Sequence, residues 1–554
     1  MDRDRFSTET ITYVVVGLIF LFVFINLYER AFPTASIDLQ LTREEAKQNA
    51  ETFLIDRGYD LTGFENAIVF GVNQSAALFL QKTQGMEKAN KMMRSDVPVW
   101  RWQGRWFKSA EKEEFQVYVD QNGEITHFSH LIEEAKEGAN LDENRAFALA
   151  ADFLVNTANI DTSQYVMVES SSEKKDNRTD HHLEWKLKGY EIQWQSGDPE
   201  AGIGTLRVAV RVQGDEVGRF TNYFKTPEKF NREFENTRSV GTLLGMISLV
   251  LMFITAIAAL VIFIMKYKRS DIRWKFALTF AILIMALFVL DSLNSLPVAK
   301  FGYPTQISYG VFWGILVVVA VFAAILYGVW ILFTGASGDS LSREVYPKSI
   351  EVLDDIIDGR FISRKFCFAS LRGYALAFFF LGYVTIFYTA GRKYLGVFLP
   401  AESPYSNQLD TYLPWLSPLA ISLLAAVSEE FMSRLFSISF LKKYIKVTFL
   451  ALLIPAMIWA FGHSTYPVFP VYVRGIELTI AGLIFGYFFI RFNIMTCIIA
   501  HYVIDAIFFA GPLLNSSNSY FIVSGYIVIA LAAIPLLLGL PGLFRSAEVS
   551  PQTP

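Results

Sequence analysis

Long apolar runs alternate with one long polar region along this chain. Residues 11–28 form an apolar run of roughly 18 residues, which is long enough to cross a bilayer. Residues 29–238 contain no second run of this kind, and the chain turns apolar again from Val240. The later runs predict spans at about residues 240–265, 276–296, 308–334, 366–390, 413–440, 447–464, 475–490, 494–513 and 520–544. We therefore predict a polytopic all-α membrane protein of about ten spans with an α+β domain after the first span.

The polar region repeats a pattern after about 100 residues. Residues 41–54 and 141–154 carry apolar positions at helical spacing, and residues 115–128 and 206–220 each predict a strand, a glycine turn and a second strand. These patterns predict two similar modules, at about residues 37–135 and 137–228, whose layout resembles tandem PepSY-type modules. We expect the three tryptophans to pack under the first helix and the two histidines to lie in a solvated loop: Trp100, Trp102 and Trp106, and His181 and His182.

Two basic clusters, at residues 266–275 and 442–446, predict the orientation. Lysine and arginine are enriched in cytoplasmic loops, so both clusters are expected inside. This gives a cytoplasmic N-terminus with an anchor at 1–28, an extracytoplasmic domain at 29–238, spans and a cytoplasmic loop at 239–365 and a cytoplasmic tail at 545–554. The expected location is the plasma membrane. A signal peptide cleaved between Ala31 and Ser36 is the alternative for the first run.

Composition excludes some functions. The formal net charge is −4, so the basic excess that a nucleic-acid-binding surface requires is lacking. The two cysteines, Cys367 and Cys497, both lie in apolar segments, which leaves no basis for a disulfide framework or a thiolate zinc site in the polar region. The expected partners are the lipid bilayer and a membrane protein or peptide.

Candidate chemistry is concentrated in the predicted span at 413–440. Glu429, Glu430 and Arg434 are charged residues inside an otherwise apolar segment, where each charge costs several kcal/mol and is usually functional. On a helix Glu430 and Arg434 can pair at i,i+4, whereas Glu429 points about 100° away and stays available for chemistry. Two later spans supply His463 and His501, with Asp505 one turn after His501.

Several functions fit these residues. Glu429, His463 and His501 could activate water for attack on a peptide carbonyl, with His501 and Asp505 stabilising the oxyanion or the leaving amine. The same three could instead bind Zn²⁺ as two histidines and one carboxylate. A lone histidine on an apolar helix is often only a packing residue. A proton-coupled transporter and a non-catalytic membrane sensor are the alternatives from other classes.

Three motifs resemble those of a known family. Glu429-Glu430-x-x-x-Arg434, Trp459-x-x-x-His463 and His501-x-x-x-Asp505 are similar to the EExxxR, FxxxH and HxxxN/D motifs of the CPBP intramembrane proteases. That family includes type II CAAX prenyl endopeptidases and Abi-type bacteriocin-immunity proteins. The chain departs from the motifs at Trp459, where phenylalanine is usual, and at Asp505, where asparagine is common.

The resemblance implies a bacterial-type membrane peptidase domain at residues 366–544. In it Glu429 is the general base or a metal ligand with His463 beside it, Glu430 and Arg434 form a supporting pair, and His501 with Asp505 forms a polarising site. A carboxylate at Asp505 favours a metal ion, since it can ligate one but cannot donate a hydrogen bond unless protonated. An immunity protein that acts by binding is the non-catalytic alternative within this family.

Overall fold

The computed structural model describes residues 7–194, 201–399, 409–466 and 468–545. The helices are α1 (Thr8–Ala31), α2 (Arg43–Asp56), α3 (Gln74–Gln84), α4 (Met86–Ser95), α5 (Glu143–Asp152), α6 (Glu228–Lys268), α7 (Trp274–Asn294), α8 (Leu296–Phe301), α9 (Tyr309–Val345), α10 (Glu351–Ile357), α11 (Arg364–Leu395), α12 (Leu416–Glu430), α13 (Ser439–Tyr444), α14 (Thr448–Gly462), α15 (Tyr472–Arg491), α16 (Ile494–Leu514) and α17 (Ser519–Gly539). The strands are β1 (Glu65–Val72), β2 (Trp100–Phe107), β3 (Glu114–Asp120), β4 (Ile125–Leu131), β5 (Tyr165–Lys174), β6 (Thr179–Gln193), β7 (Ile203–Gln213) and β8 (Glu216–Lys225).

The described residues include 9 helices that are long and apolar enough to cross a membrane: α1, α6, α7, α9, α11, α14, α15, α16 and α17. Their outer faces expose large apolar side chains such as Phe22, Phe253 and Val318, as expected of surfaces that lipid covers. The prediction of a multi-pass membrane protein is thereby confirmed. The predicted span at 413–440 is not one of the nine, because it consists of α12, a π-helical turn and α13 in succession.

Some element boundaries differ from the prediction. Helix α9 continues to Val345, although we expected a cytoplasmic loop from Gly335. The extra turns are buried because small residues allow close packing: a side chain at Gly335 would lie 3.1 Å from the Phe431 ring, and one at Gly338 would lie 3.0 Å from Leu435. Helix α6 begins at Glu228, about three turns before the predicted span, and carries the chain from the sheet into the membrane helices.

The polar region folds around one antiparallel sheet of eight strands in the order β1-β2-β3-β4-β8-β7-β6-β5. Each half of the sheet follows one helix, α2 or α5, and the halves join where β4 pairs with β8. We call residues 32–227 the sheet domain. All three predicted strand tryptophans are buried, and the Trp106 indole donates to Glu51 of α2 at 3.2 Å, as expected. The other two also reach beyond this helix, since Trp100 donates to Ser36 and Trp102 stacks on Phe521.

The predicted loop location of His181 and His182 is wrong. Both lie in β6, where His182 pairs with Ser171 of β5. His181 is buried, and its ring donates to the carbonyl oxygen of Leu141 at 2.9 Å. The polar residues around these histidines hid a strand that presents polar side chains on one face and apolar ones on the other.

The sheet domain rests directly on loops between membrane helices. The backbone N–H of Phe70, on edge strand β1, donates to Asp410 Oδ2 at 3.0 Å, just before α12. Arg105 of β2 donates to the carbonyl oxygen of Tyr303, between α8 and α9, at 2.6 Å. Asp38 accepts from the backbone N–H of Ser517, between α16 and α17, at 2.8 Å. The sheet domain and the ends of α8, α12 and α17 therefore lie on one side of the membrane part.

Candidate active site

The helix that carries Glu429 and Glu430 changes from α-helical to π-helical geometry after Glu430. Helix α12 ends at Glu430, and residues Phe431–Ile438 form a π-helical turn before α13 begins. Such turns are rare and frequently lie at functional sites. Within this segment Arg434 Nη1 donates to Glu430 Oε1 at 3.0 Å, and both side chains are almost fully buried, at 2% and 0% exposure. The predicted i,i+4 pair of Glu430 and Arg434 is confirmed.

Glu429 faces a chamber of about 390 Å³ between the membrane helices. Four of the six predicted site residues line it: Glu429, His463, His501 and Asp505. The remaining wall is mostly apolar and aromatic, including Phe380, Trp459, Phe485 and Phe508. Glu430 and Arg434 are not among the lining residues and lie behind the wall. The structure therefore separates the two adjacent glutamates as the helix geometry predicted.

His501 connects the chamber to the buried ion pair. Its Nδ1 lies 2.9 Å from Glu430 Oε1, and its Nε2 lies 3.6 Å from Asp505 Oδ2 and 3.9 Å from Glu429 Oε2. Carboxylate oxygens accept hydrogen bonds, so an imidazole with a proton on each nitrogen suits these partners. The distances from Nε2 to Asp505 and Glu429 are longer than a hydrogen bond, so the Nε2–H can donate to a ligand in the chamber.

Trp459 holds two of the predicted site residues, Glu429 and His463. Its indole N–H donates to Glu429 Oε2, and its backbone carbonyl oxygen lies 2.9 Å from Nδ1 of His463. A carbonyl oxygen only accepts, so His463 carries its proton on Nδ1 and presents a bare Nε2 when it is neutral. The departure at Trp459 is therefore more than the change of bulk that the sequence indicates, because phenylalanine has no N–H for Glu429.

Sequence reasoning missed a second ion pair on the chamber wall. Arg474 Nη1 lies 2.6 Å from Glu477 Oε2, and the Tyr388 hydroxyl donates to the same oxygen at 3.4 Å. All three residues line the chamber, and Glu477 is fully buried. The signal was present in the sequence, since Glu477 is an acidic residue in the predicted span at 475–490. It was missed because neither residue belongs to one of the three motifs.

The three predicted zinc ligands, Glu429, His463 and His501, have suitable chemistry and line the same chamber. In the described part of the chain, the one group of metal-ligand residues whose ligand atoms lie within 4.8 Å of one another is Glu169, His182 and Glu184, in the sheet domain. Glu429, His463 and His501 do not reach that spacing, and Glu429 already accepts from Trp459. Zinc in the chamber stays a prediction.

A family comparison agrees with this site. Residues 411–507 match the family described as Type II CAAX prenyl endopeptidase Rce1-like. The matched segment begins just before α12 and ends two residues after Asp505, so it contains all six predicted site residues. The match confirms the resemblance drawn from the three motifs and supports a CAAX-type intramembrane protease. No curated protein and no solved structure matches the chain, and the PepSY-like interpretation of residues 29–238 stays a prediction.

Proposed function

We propose that the protein is an intramembrane endopeptidase that hydrolyses a peptide bond of a membrane-associated substrate. The observation that carries this proposal is the chamber in which Trp459 holds both Glu429 and His463. A carboxylate and a bare imidazole nitrogen on one apolar wall can position a water molecule and accept its proton. Solvent exclusion by the aromatic walls strengthens these interactions.

Each chamber residue has a role in the proposed reaction. Glu429 takes a proton from water that His463 Nε2 orients, and the resulting hydroxide attacks the carbonyl carbon. The Nε2–H of His501 donates to the oxyanion that forms. The C–N bond then breaks, and the proton held by Glu429 passes to the leaving amine. The reaction consumes one water molecule and releases a new carboxyl terminus and a new amino terminus.

The residues behind the wall orient this machinery. Glu430 accepts from both Arg434 and His501, so the ion pair fixes the imidazole ring with its Nε2 toward the chamber. Arg434 also lies over the Trp459 ring at 4.4 Å, which supports the residue that holds Glu429 and His463. Glu430 and Arg434 are therefore positioning residues.

Cleavage by the purified full-length chain in liposomes tests the proposal. The probe is a library of quenched fluorescent peptides that carry an apolar anchor, with new termini identified by mass spectrometry. We expect wild-type cleavage and a loss on the order of 100-fold or more for Glu429→Gln, which keeps the shape of the side chain and removes the base. Glu228→Gln, at an exposed glutamate of α6, is the matched control.

Two further measurements separate the alternatives. Metal analysis of wild-type protein against His463→Ala tests zinc, because a bound ion should be lost with its ligand. Proton flux in the same liposomes tests the transporter alternative. Flux without cleavage, or equal cleavage by wild type and Glu429→Gln, would overturn the proposed peptidase.

A further inference from the structure

A second cavity, of about 610 Å³, lies in the sheet domain. It opens on the face of the sheet opposite to α2 and α5, where strands from both halves contribute polar side chains. Its lining includes Asn73, Arg101, Ser171, Ser172, Glu173, Asp180, His181, His182, Arg211, Arg219, Thr221 and Tyr223. Cavities of this size commonly hold small ligands. None of the three motifs and no proposed catalytic residue lies in it.

Two arginines of this cavity have no acidic partner. Among the described residues, no carboxylate oxygen lies within 4.0 Å of the guanidinium groups of Arg101 or Arg219, whereas Arg211 reaches Glu173 at 3.3 Å. Arg101 is the more costly of the two, since its Nε atom is buried without a hydrogen-bond partner. Its guanidinium lies over the Tyr118 ring at 4.8 Å, and burial lowers its pKa.

Two neighbouring strands place further ionisable side chains beside these arginines. Arg219 of β8 lies directly opposite Arg211 of β7, and like charges at such cross-strand positions repel. His127 of β4, which pairs with Thr221, has a pKa lowered to about 3 by burial and by the charges of Arg219 and Arg101. The imidazole therefore stays neutral at physiological pH and adds no positive charge beside the two arginines.

We propose that this cavity binds an oxyanion group, a carboxylate or a phosphate, between Arg101 and Arg219. A desolvated guanidinium without a counter-ion is unfavourable, and an oxyanion would compensate it through charge-assisted hydrogen bonds. The amide N–H₂ of Asn73 and the hydroxyl of Ser171 are further donors among the lining residues. The remaining volume accommodates the group to which the anion is attached. This site does not depend on the chemistry proposed for the chamber.

Thermal unfolding of the full-length protein in detergent tests the proposal with three probes at matched ionic strength. They are inorganic phosphate, an acetylated tripeptide with a free C-terminal carboxylate, and the same peptide amidated. We expect the wild-type melting temperature to rise with phosphate, with the carboxylate peptide, or with both, and not with the amide. Arg219→Gln should weaken the apparent affinity tenfold or more. Arg145→Gln, at an exposed arginine of α5, should bind as the wild type does.

The outcomes also identify the source of the anion. A response to phosphate alone assigns the site to a phosphate group, and a response to the free carboxylate alone assigns it to a peptide end. The NMR signal of the His127 ring is identified as the one that is missing from His127→Gln. A bound anion should raise the pKa of that ring in the wild type. If Arg219→Gln folds poorly, Arg101→Gln serves as the second variant, and it should abolish the response. No response to any probe, or equal responses in wild type, Arg219→Gln and Arg101→Gln, would overturn the proposal.

Discussion

The chamber between the membrane helices and the cavity on the sheet both collect ionisable side chains, but they compensate charge in opposite ways. Behind the chamber wall Arg434 pairs with Glu430 at 3.0 Å, and in the wall Arg474 pairs with Glu477 at 2.6 Å. In the sheet cavity Arg101 and Arg219 have no carboxylate within ion-pair distance among the described residues. Both arginines at the chamber are thus paired within the chain, whereas in the described part of the chain only Arg211 of the three arginines in the sheet cavity is.

This difference follows from the surroundings of each site. Charges between membrane helices cannot be hydrated by bulk water, so they persist where the chain itself supplies a partner. The sheet cavity is open on one side, and water or a ligand can compensate its arginines. An unpaired charge therefore destabilises the membrane part, whereas in the sheet cavity it can bind a ligand.

The largest expected effect comes from breaking the compensation in the membrane part. Glu430→Gln leaves Arg434 as an unpaired buried cation, and removing one partner of such a pair costs about 3–5 kcal/mol. We expect a strongly lowered melting temperature or poor accumulation in the membrane. Glu429→Gln, one residue earlier but facing the chamber, should unfold near the wild-type temperature while losing activity.

A double variant distinguishes this cause from a catalytic one. Glu430→Gln with Arg434→Met removes both charges and should recover part of the lost stability, because no buried charge is left over. If the double variant is less stable than Glu430→Gln alone, compensation is not the reason for the pair. Equal stability of the Glu429→Gln and Glu430→Gln variants would contradict the separation of the two glutamates.

A smaller effect is expected at the residue that holds the catalytic base. Trp459→Phe restores the residue usual in the family motif and removes the N–H that Glu429 accepts from. A hydrogen bond to a charged group contributes about 1.5–3 kcal/mol, so we expect the cleavage rate to fall by roughly 10- to 100-fold. The melting temperature should change little, since a ring remains against Arg434. Trp274→Phe, at a half-exposed tryptophan, is the control, and unchanged cleavage by Trp459→Phe would exclude this role.

The motif residues and their pairing could be predicted because they follow from local helix geometry and short spacing. Glu430 lies one turn from Arg434 in any helix, and a charged residue in an apolar run stands out from sequence alone. The hydrogen bond from Trp459 to Glu429 could not, because it joins two helices whose approach depends on tertiary packing. The π-helical turn after Glu430 has no sequence pattern that distinguishes it from an ordinary helix.

The contacts of the sheet domain were also beyond prediction. None of the motif residues lies in residues 29–238, so the sequence predicts that the membrane domain folds without this region. In the structure Phe32, Pro33 and Thr34 line the chamber, and Arg392 donates to the carbonyl oxygen of Ala31 at 3.0 Å. The fold of the sheet follows from alternating patterns, whereas its position on the membrane helices depends on side chains far apart in sequence.

Asp410 shows a third way to accommodate an ionisable group, and it predicts a pH dependence. It is buried where β1 meets the loop before α12, and burial raises its pKa to about 8 against an ordinary 3.8. The charge of Arg43, on α2, opposes this shift only in part. Because the folded state holds the proton more tightly than the unfolded state, stability falls as pH rises from about 4 to about 8, by about 1.4 kcal/mol per pH unit.

Comparison with Asp410→Asn isolates this contribution. The wild type should lose stability relative to the variant between pH 6 and pH 8. Hydrogen exchange at the Phe70 amide, compared at each pH with the same amide in the variant, should become relatively faster over the same interval. Asp60→Asn, at an exposed aspartate of the sheet domain, should follow the wild type. A wild-type stability that rises relative to Asp410→Asn over this interval would show that Asp410 is ionised in the folded protein.

The smallest expected effect is the counterpart of the first. Arg219→Gln removes an arginine from the sheet cavity, just as Arg434→Gln removes one from the membrane part. Arg219, however, is exposed and has no carboxylate partner among the described residues, so its removal leaves no carboxylate unpaired. Its loss also ends the repulsion with Arg211 across the strands. We expect the free energy of unfolding without ligand to stay within about 0.5 kcal/mol of the wild type, whereas Arg434→Gln should cost about 3–5 kcal/mol. Denaturant or thermal unfolding of the two variants side by side measures the difference. A large loss for Arg219→Gln in the absence of any anion would mean that the sheet cavity, like the chamber, is held together by its own charges.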